Sequence, residues 1–366
     1  MKHSHLRVAL VTNIPAPYRQ PVLEYVAEEP DINFCAFFCS DREPDREWNL
    51  DNSKFKQVFL RDKFFIYRDR FIHMNPDIWS NLGTFRPNVV ITTGFNPTHL
   101  LAFMYARLHG AKHLTMTDGT YQSEAKLSFI HRWVRKFIFS GSQAFIGASN
   151  GSFMLYRSYG VDLKRLFKSQ LCADNVAFSK VLQIEKQFDF IFCGRFVQSK
   201  NPLFTVDLAH EVSRCLRRRV SVLFVGSGEL EPAIRYAATN VKNNVESVFA
   251  GFVRQDELPC LYASARIFLF PTKMDTWGVV VNEACAAGLP VLVSPFAGSA
   301  YELVRHGENG FVLPLNIQQW TEASINLLND SYLYSSMSTK SLELVKDYNF
   351  KNAAGGIIDA IRMVHF

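Results

Sequence analysis

The chain has 366 residues, 48% of them hydrophobic and 20% charged, with 40 Lys/Arg against 34 Asp/Glu for a net charge of +6. That length exceeds what one core usually organises and predicts two domains, and the balance excludes a disordered chain. No run reaches the roughly 18 consecutive apolar residues that read as a membrane-spanning helix, and residues 1–12 lead straight into a strand-like stretch without the marks of a secretory signal.

The seven cysteines (Cys35, Cys39, Cys172, Cys193, Cys215, Cys260, Cys285) form no C-x-x-C pair. An odd number without a framework predicts reduced thiols, mostly buried, in a cytoplasmic protein. Charge is uneven. Residues 1–187 carry 24 Lys/Arg and 17 Asp/Glu, a balance of +7, and the remainder 16 and 17, or −1. The basic half points to an acidic partner surface or to a plain solubility charge. Nucleic acid is not expected as a partner, because no nucleic-acid-binding module is present.

Apolar runs at 6–11, 32–38, 88–91, 113–116 and 144–146 read as strands of a first sheet. The loop after the first run holds Asn13, Pro15, Pro17, Tyr18 and Arg19. Two prolines stiffen it. Asn13, Pro17, Tyr18 and Arg19 either face a ligand or form a rigid turn into the helix from Gln20. Gly94-Phe95-Asn96 ends a later strand and is a further wall of that mouth. Thr117-Asp118-Gly119 ends another, where Asp118 orients an acceptor hydroxyl or caps the next segment. Residues 126–139 (KLSFIHRWVRKFIF) form a basic amphipathic helix. It lies on an anionic membrane or packs its apolar stripe inward. Residues 121–171 hold eight Lys/Arg and two Asp/Glu, which suits the membrane reading.

The polar stretch 172–188 predicts the domain boundary, and a fresh strand comes after it. The domains are then 1–180 and 181–347, with a terminal amphipathic helix at 348–366. Strands of the second sheet read at 188–192, 220–225, 247–249, 267–270 and 291–293. After the first of these comes Gly194-Arg195, with Lys200-Asn201-Pro202 five residues on. Arg offers a planar fork to phosphate oxygens and Lys a mobile point charge. Gly226-Ser227-Gly228 comes after the second, with Glu229 opening a helix. A lone G-x-G is weak evidence for a nucleotide site. Asp275 precedes the helix opened by Gly278, Val279 and Val280, whose free N–H groups favour an anion. Glu283 stands on that helix's second turn, so both carboxylates can face one ligand. Strands alternating with helices throughout make an α/β protein with doubly wound parallel sheets, which bind ligands at the strands' C-terminal ends.

The run Asp275-Thr276-Trp277-Gly278, then Glu283-Ala284, then Gly288-Leu289-Pro290-Val291, resembles the family-4 retaining glycosyltransferases. Their mark is Glu, seven residues, Glu; here the first Glu is Asp275. Gly194-Arg195 with Lys200-Asn201-Pro202 is similar to the family's diphosphate-holding residues, and the Pro-x-Pro-Tyr-Arg loop at 15–19 resembles that of a bacterial polysaccharide branch of it. The resemblance is good over the C-terminal half and weak over the N-terminal half. It implies the GT-B fold: two Rossmann-like domains facing across a cleft, the terminal helix crossing back to the first. It implies transfer of a sugar, with retention and without metal or cofactor, from a nucleotide-diphosphate donor to a saccharide or lipid-linked saccharide in cell-surface polysaccharide synthesis. The chain contains no Asp-x-Asp metal motif.

By the same resemblance Arg195, Lys200, Asp275, Glu283 and Asp118 are catalytic, with Asp118 standing where many members carry His. Gly194, Gly226, Val253, Arg254, Gly278, Val279 and Val280 bind the donor, and Asn13, Pro17, Tyr18, Arg19, Gly94 and Asn96 the acceptor. UDP is the weighted donor nucleotide, with guanosine next. The expected station is cytoplasmic, with peripheral contact at the inner face of the membrane if the helix at 126–139 lies on the bilayer rather than packing inward. The competing readings are a non-catalytic nucleotide-sugar-binding protein, an epimerase and, more remotely, a phosphorylase on the same fold.

Overall fold

A computed structural model describes residues 5–41, 53–61, 63–67, 70–125 and 127–365. Two compact units share the chain: 1–171 with 350–366, and 172–349.

The first unit holds a seven-stranded sheet. Its strands are β1 (Leu6–Thr12), β2 (Ile32–Phe38), β3 (Lys56–Phe59), β6 (Val89–Thr92), β7 (Lys112–Thr117), β8 (Ala144–Gly147) and β9 (Leu166–Lys168). A separate antiparallel hairpin joins β4 (Phe64–Tyr67) to β5 (Arg70–His73). The order across the sheet is β3-β2-β1-β6-β7-β8-β9, every pairing parallel. The helix Phe350–His365 belongs to this unit and packs on the helix Gln20–Ala27 and on β8 and β9. Ala353, Ala354, Ile357, Ile358, Ala360 and Ile361 form its buried face.

The second unit holds β10 (Phe188–Cys193), β11 (Val220–Val225), β12 (Val245–Gly251), β13 (Ala265–Phe270), β14 (Val291–Val293) and β15 (Gly310–Val312). Their order is β12-β11-β10-β13-β14-β15, again all parallel. The central strands are buried on both faces, which is why they read as unbroken apolar runs. Phe190, Phe192, Phe224, Ile267 and Leu269 belong to one core with Trp320.

Both sheets reverse their winding beside their first strand, between β1 and β6 and between β10 and β13. At such a reversal the flanking loops part and leave a crevice at the strands' C-terminal ends. Two crevices are therefore built in, one per unit. Periodicity misses the hairpin strands β4 and β5 and, in the parallel sheets, β3, β9 and β15. Each is short, and β3 and β9 are half-exposed edge strands without the apolar run of a central one. The helix expected from Glu229 begins instead at Glu231, after a turn in which the Glu231 N–H bonds to the Gly228 carbonyl.

Candidate active site

In the second unit the loops after β10 and β13 are laced together. The Ser199 carbonyl accepts from the Lys273 N–H at 2.7 Å and from Thr272 Oγ1 at 2.8 Å. That brings Lys200 against Asp275, with which it forms an ion pair. The Lys200 ammonium also lies 5.8 Å from the centroid of the Phe270 ring. Asp275 Oδ1 accepts the Trp277 N–H at 3.1 Å, and its backbone bridges Phe296 and Gly298. Trp277 is buried, donates to Asn282 Oδ1 at 2.7 Å and stacks on Tyr348. The loop carrying Asp275 is thus held at both ends. Arg195 is exposed on the loop that starts at Gly194.

Gly278 caps the helix Val279–Ala286 with φ 91°, and a Cβ there would stand 2.5 Å from the Phe270 ring. Only glycine lets the helix start approach the wall on which Lys200 lies. The N–H groups of the helix's first turn lack intrahelical partners and carry its positive dipole end.

Glu283 is buried one turn further on. Tyr262 donates to its Oε2 at 2.8 Å and Gln255 to its Oε1 at 3.0 Å. Burial raises its carboxyl above the ordinary range, and the two hydrogen bonds offset only part of that. Phe178 packs edge-on against Tyr262, from a short helix capped by Asp174. Val253 and Arg254 lie just after β12, and Arg254 is turned toward Asp256.

Gly226 (φ 128°) comes directly after β11 and meets the loop after β10, where a Cβ would be 2.1 Å from the Gly194 carbonyl oxygen. Gly226→Ala is expected to cost at least about 2 kcal/mol, because it combines a backbone clash with a disfavoured φ. Urea unfolding checks this; an unchanged midpoint would mean that the two loops have room to part.

In the first unit the crevice is a cavity of about 240 Å³. Thr12, Asn13, Tyr18, Arg19, Thr93 and Asp118 line it, with an apolar floor that includes Leu10, Phe38 and Met116. Asn96 donates to Asn13 Oδ1 at 2.9 Å, and Thr93 donates to Thr12 at 2.8 Å. Asn96 also caps the helix Pro97–Leu108 and lies 2.7 Å from Nδ1 of His99. Burial and the neighbouring His73 lower the His99 pKa to about 3, so the ring is neutral. A Cβ on Gly94 would stand 3.0 Å from that ring. Arg19 reaches Ser169 Oγ at 3.2 Å. Pro17 precedes the helix Gln20–Ala27 and is not among the lining residues. Asp118 is exposed at the end of β7 and does not cap the short helix Tyr121–Glu124; Thr120 does, in a reciprocal pair with Ser123.

The amphipathic segment departs from the inward-packing reading. Its helix runs Phe129–Gly141, and Lys126 lies outside the described residues. Arg135, Ile138 and Phe139 face in, and Phe129, Ile130, Trp133 and Phe137 face out. Sequence reading also missed Gln255, Tyr262, Ser199 and Thr272. These are neutral residues with no spacing signature, and only the meeting of segments distant in the chain gives them roles.

Two parallel-sheet units of this winding are the architecture of the GT-B glycosyltransferases. Residues 174–343, somewhat under half of the chain, match the family model Glycosyl transferases group 1. An uncharacterized glycosyltransferase of Methanocaldococcus jannaschii is 31% identical over 127 residues, which are 34% of this chain and 32% of that protein. The GDP-mannose-dependent monoacylated alpha-(1-6)-phosphatidylinositol monomannoside mannosyltransferase of Corynebacterium glutamicum is 30% identical over 186 residues, 49% of this chain and 48% of that one. The chain thus spans half or less of the length of these curated relatives. Anabaena Alr3699/HepE, solved in complex with UDP, shares the fold at a TM-score of 0.74 and 13% identity, covering 98% of this chain and 100% of that one.

Proposed function

We propose that this chain is a glycosyltransferase that moves a sugar from a nucleotide-diphosphate donor to a saccharide or lipid-linked saccharide, with retention, in cell-surface polysaccharide synthesis. The observation that carries this reading is the grouping after β10 and β13. Lys200 pairs with Asp275 against Phe270, the Gly278 helix start abuts the same ring, and Glu283 sits buried on that helix.

When the anomeric C–O bond breaks, negative charge grows on the departing diphosphate. Arg195, Lys200 and the N–H groups of the Gly278–Val280 turn supply fixed positive charge for it. Glu283 accepts the ribose hydroxyls. Lys200 is already engaged with Asp275, so donor binding exchanges one anionic partner for another. The diphosphate takes Lys200, and the released Asp275 accepts a hydroxyl of the transferred sugar. Asp118 and Asn13, at the first unit's cavity, orient the acceptor. No metal enters this scheme.

UDP is the favoured donor nucleotide, supported by the UDP complex of the Anabaena protein; the GDP-mannose dependence of the Corynebacterium enzyme makes guanosine the rival. The phosphatidylinositol mannoside named as that enzyme's acceptor supports a lipid-linked acceptor here, met at the inner face of the membrane. A thermal-shift panel of nucleotide sugars is the test. The true donor at 100 times its dissociation constant adds about 2.7 kcal/mol of stability. Slow hydrolysis of that donor without acceptor separates an enzyme from a mere binding protein, and the anomer of the product reports retention. A panel in which no nucleotide sugar moves the melting temperature defeats the proposal.

A further inference from the structure

The helix Phe129–Gly141 turns its apolar side to solvent. Phe129 is 80% exposed, Ile130 71%, Trp133 58% and Phe137 43%. At about 100° per residue these four share an arc of about 100°. The helix is fastened from the other side, by Ile138, Phe139 and the Arg135 guanidinium, which pairs with Glu124 and lies 4.1 Å from the Phe95 ring centroid. Trp133 and Phe137 stack in parallel with centroids 5.7 Å apart, so the exposed face is ordered. The adjoining helix Pro97–Leu108 adds exposed Met104 and Leu108. A protein surface rarely shows so many large apolar side chains in one place without a use for them.

The charges around this face choose its occupant. Arg132 and Lys136 stand on the helix beside the apolar arc and are exposed, as is Arg107 on the neighbouring helix. Of the two acids in residues 121–171, Glu124 is spent on Arg135. Aromatic and aliphatic tips with basic stems along one edge suit an acyl boundary beneath anionic headgroups. A second copy of this face would bring like charges together.

We propose that the helix Phe129–Gly141 docks the first unit on an anionic bilayer, lying in the headgroup plane with Phe129, Ile130, Trp133 and Phe137 inserted. The helix leaves the sheet's C-terminal edge after β7, the edge where Asp118 lines the cavity. Docking therefore brings that cavity to the membrane, where a lipid-linked acceptor would be found. This last step rests on the proposed transfer reaction; the docking does not.

The test uses the full chain with vesicles of pure phosphatidylcholine and of phosphatidylcholine with phosphatidylglycerol. Sedimentation at low salt is expected to show at least tenfold stronger binding to the anionic vesicles. A Phe129→Ser/Ile130→Ser/Trp133→Ser variant, altered only at exposed positions, is expected to lose at least tenfold of that binding with its melting temperature unchanged. Arg132→Ala and Lys136→Ala are each expected to weaken it about fivefold. Absence of anionic-vesicle binding overturns the proposal. So does binding that the triple variant keeps, or a self-association that the triple variant abolishes. The donor-induced thermal shift should be the same in all these variants, so failure of the docking and failure of the transferase reading are told apart.

Discussion

Lys200→Ala is expected to lower turnover by roughly 100-fold, the scale seen when one preorganised charge is removed from a site that stabilises a developing anion. The side chain is well placed for such an effect. It is 18% exposed, it rests near the Phe270 ring, and its loop is tied to the one after β13 through Ser199. A lysine in bulk solvent would lose most of its influence to screening; this one keeps it. The substitution also leaves Asp275, 15% exposed, without its cation. Removing one member of a buried pair strands the other, so some stability is lost as well. The double variant Lys200→Ala/Asp275→Asn separates the two losses. It should recover much of the melting temperature and none of the turnover. Wild-type turnover from a folded Lys200→Ala protein would remove Lys200 from the reaction.

Glu283→Gln should weaken donor binding by about 10- to 100-fold and at the same time stabilise the second unit at neutral pH. The first effect arises from losing charge-assisted hydrogen bonds to the ribose, each worth about 1.5 to 3 kcal/mol. The second arises from burial. The folded carboxyl holds its proton more tightly than the unfolded one, whose pKa is about 4.3. As pH rises from there through the raised folded value, the native state binds more protons than the unfolded chain, so stability falls with pH. A neutral amide does not titrate and escapes that fall. The difference between variant and wild type should be nearly absent under acid conditions and grow steadily toward neutral pH. Melting curves across this range, with and without donor, measure both effects. A variant that is less stable at neutral pH would mean that Tyr262 and Gln255 satisfy the charge fully.

Such opposed effects mark a group kept for use rather than for folding. In the proposed reaction Glu283 is held in a seat that costs stability because its carboxylate receives the donor ribose. Lys200 and Asp275 are less exposed to this conflict, since each neutralises the other until a ligand arrives.

The α/β class and the doubly wound units were legible in the sequence, because strands buried on both faces read as unbroken apolar runs separated by amphipathic helices. The loops that carry Arg195, Lys200, Asp275 and Gly278 were legible too, since a parallel sheet gathers the loops leaving its strands at one edge. Three things were not. Edge strands such as Lys56–Phe59 lack the apolar run of a buried strand. The seat of Glu283 depends on Gln255 and Tyr262, 28 and 21 residues away in the chain. The orientation of the helix Phe129–Gly141 was open because periodicity shows that a helix has two faces and not which one the rest of the unit covers. Local pattern thus determined which elements form and where their polar ends lie. The tertiary structure alone decided which partners meet at those ends and which apolar face stays in water, because both depend on packing between segments that the chain order keeps apart.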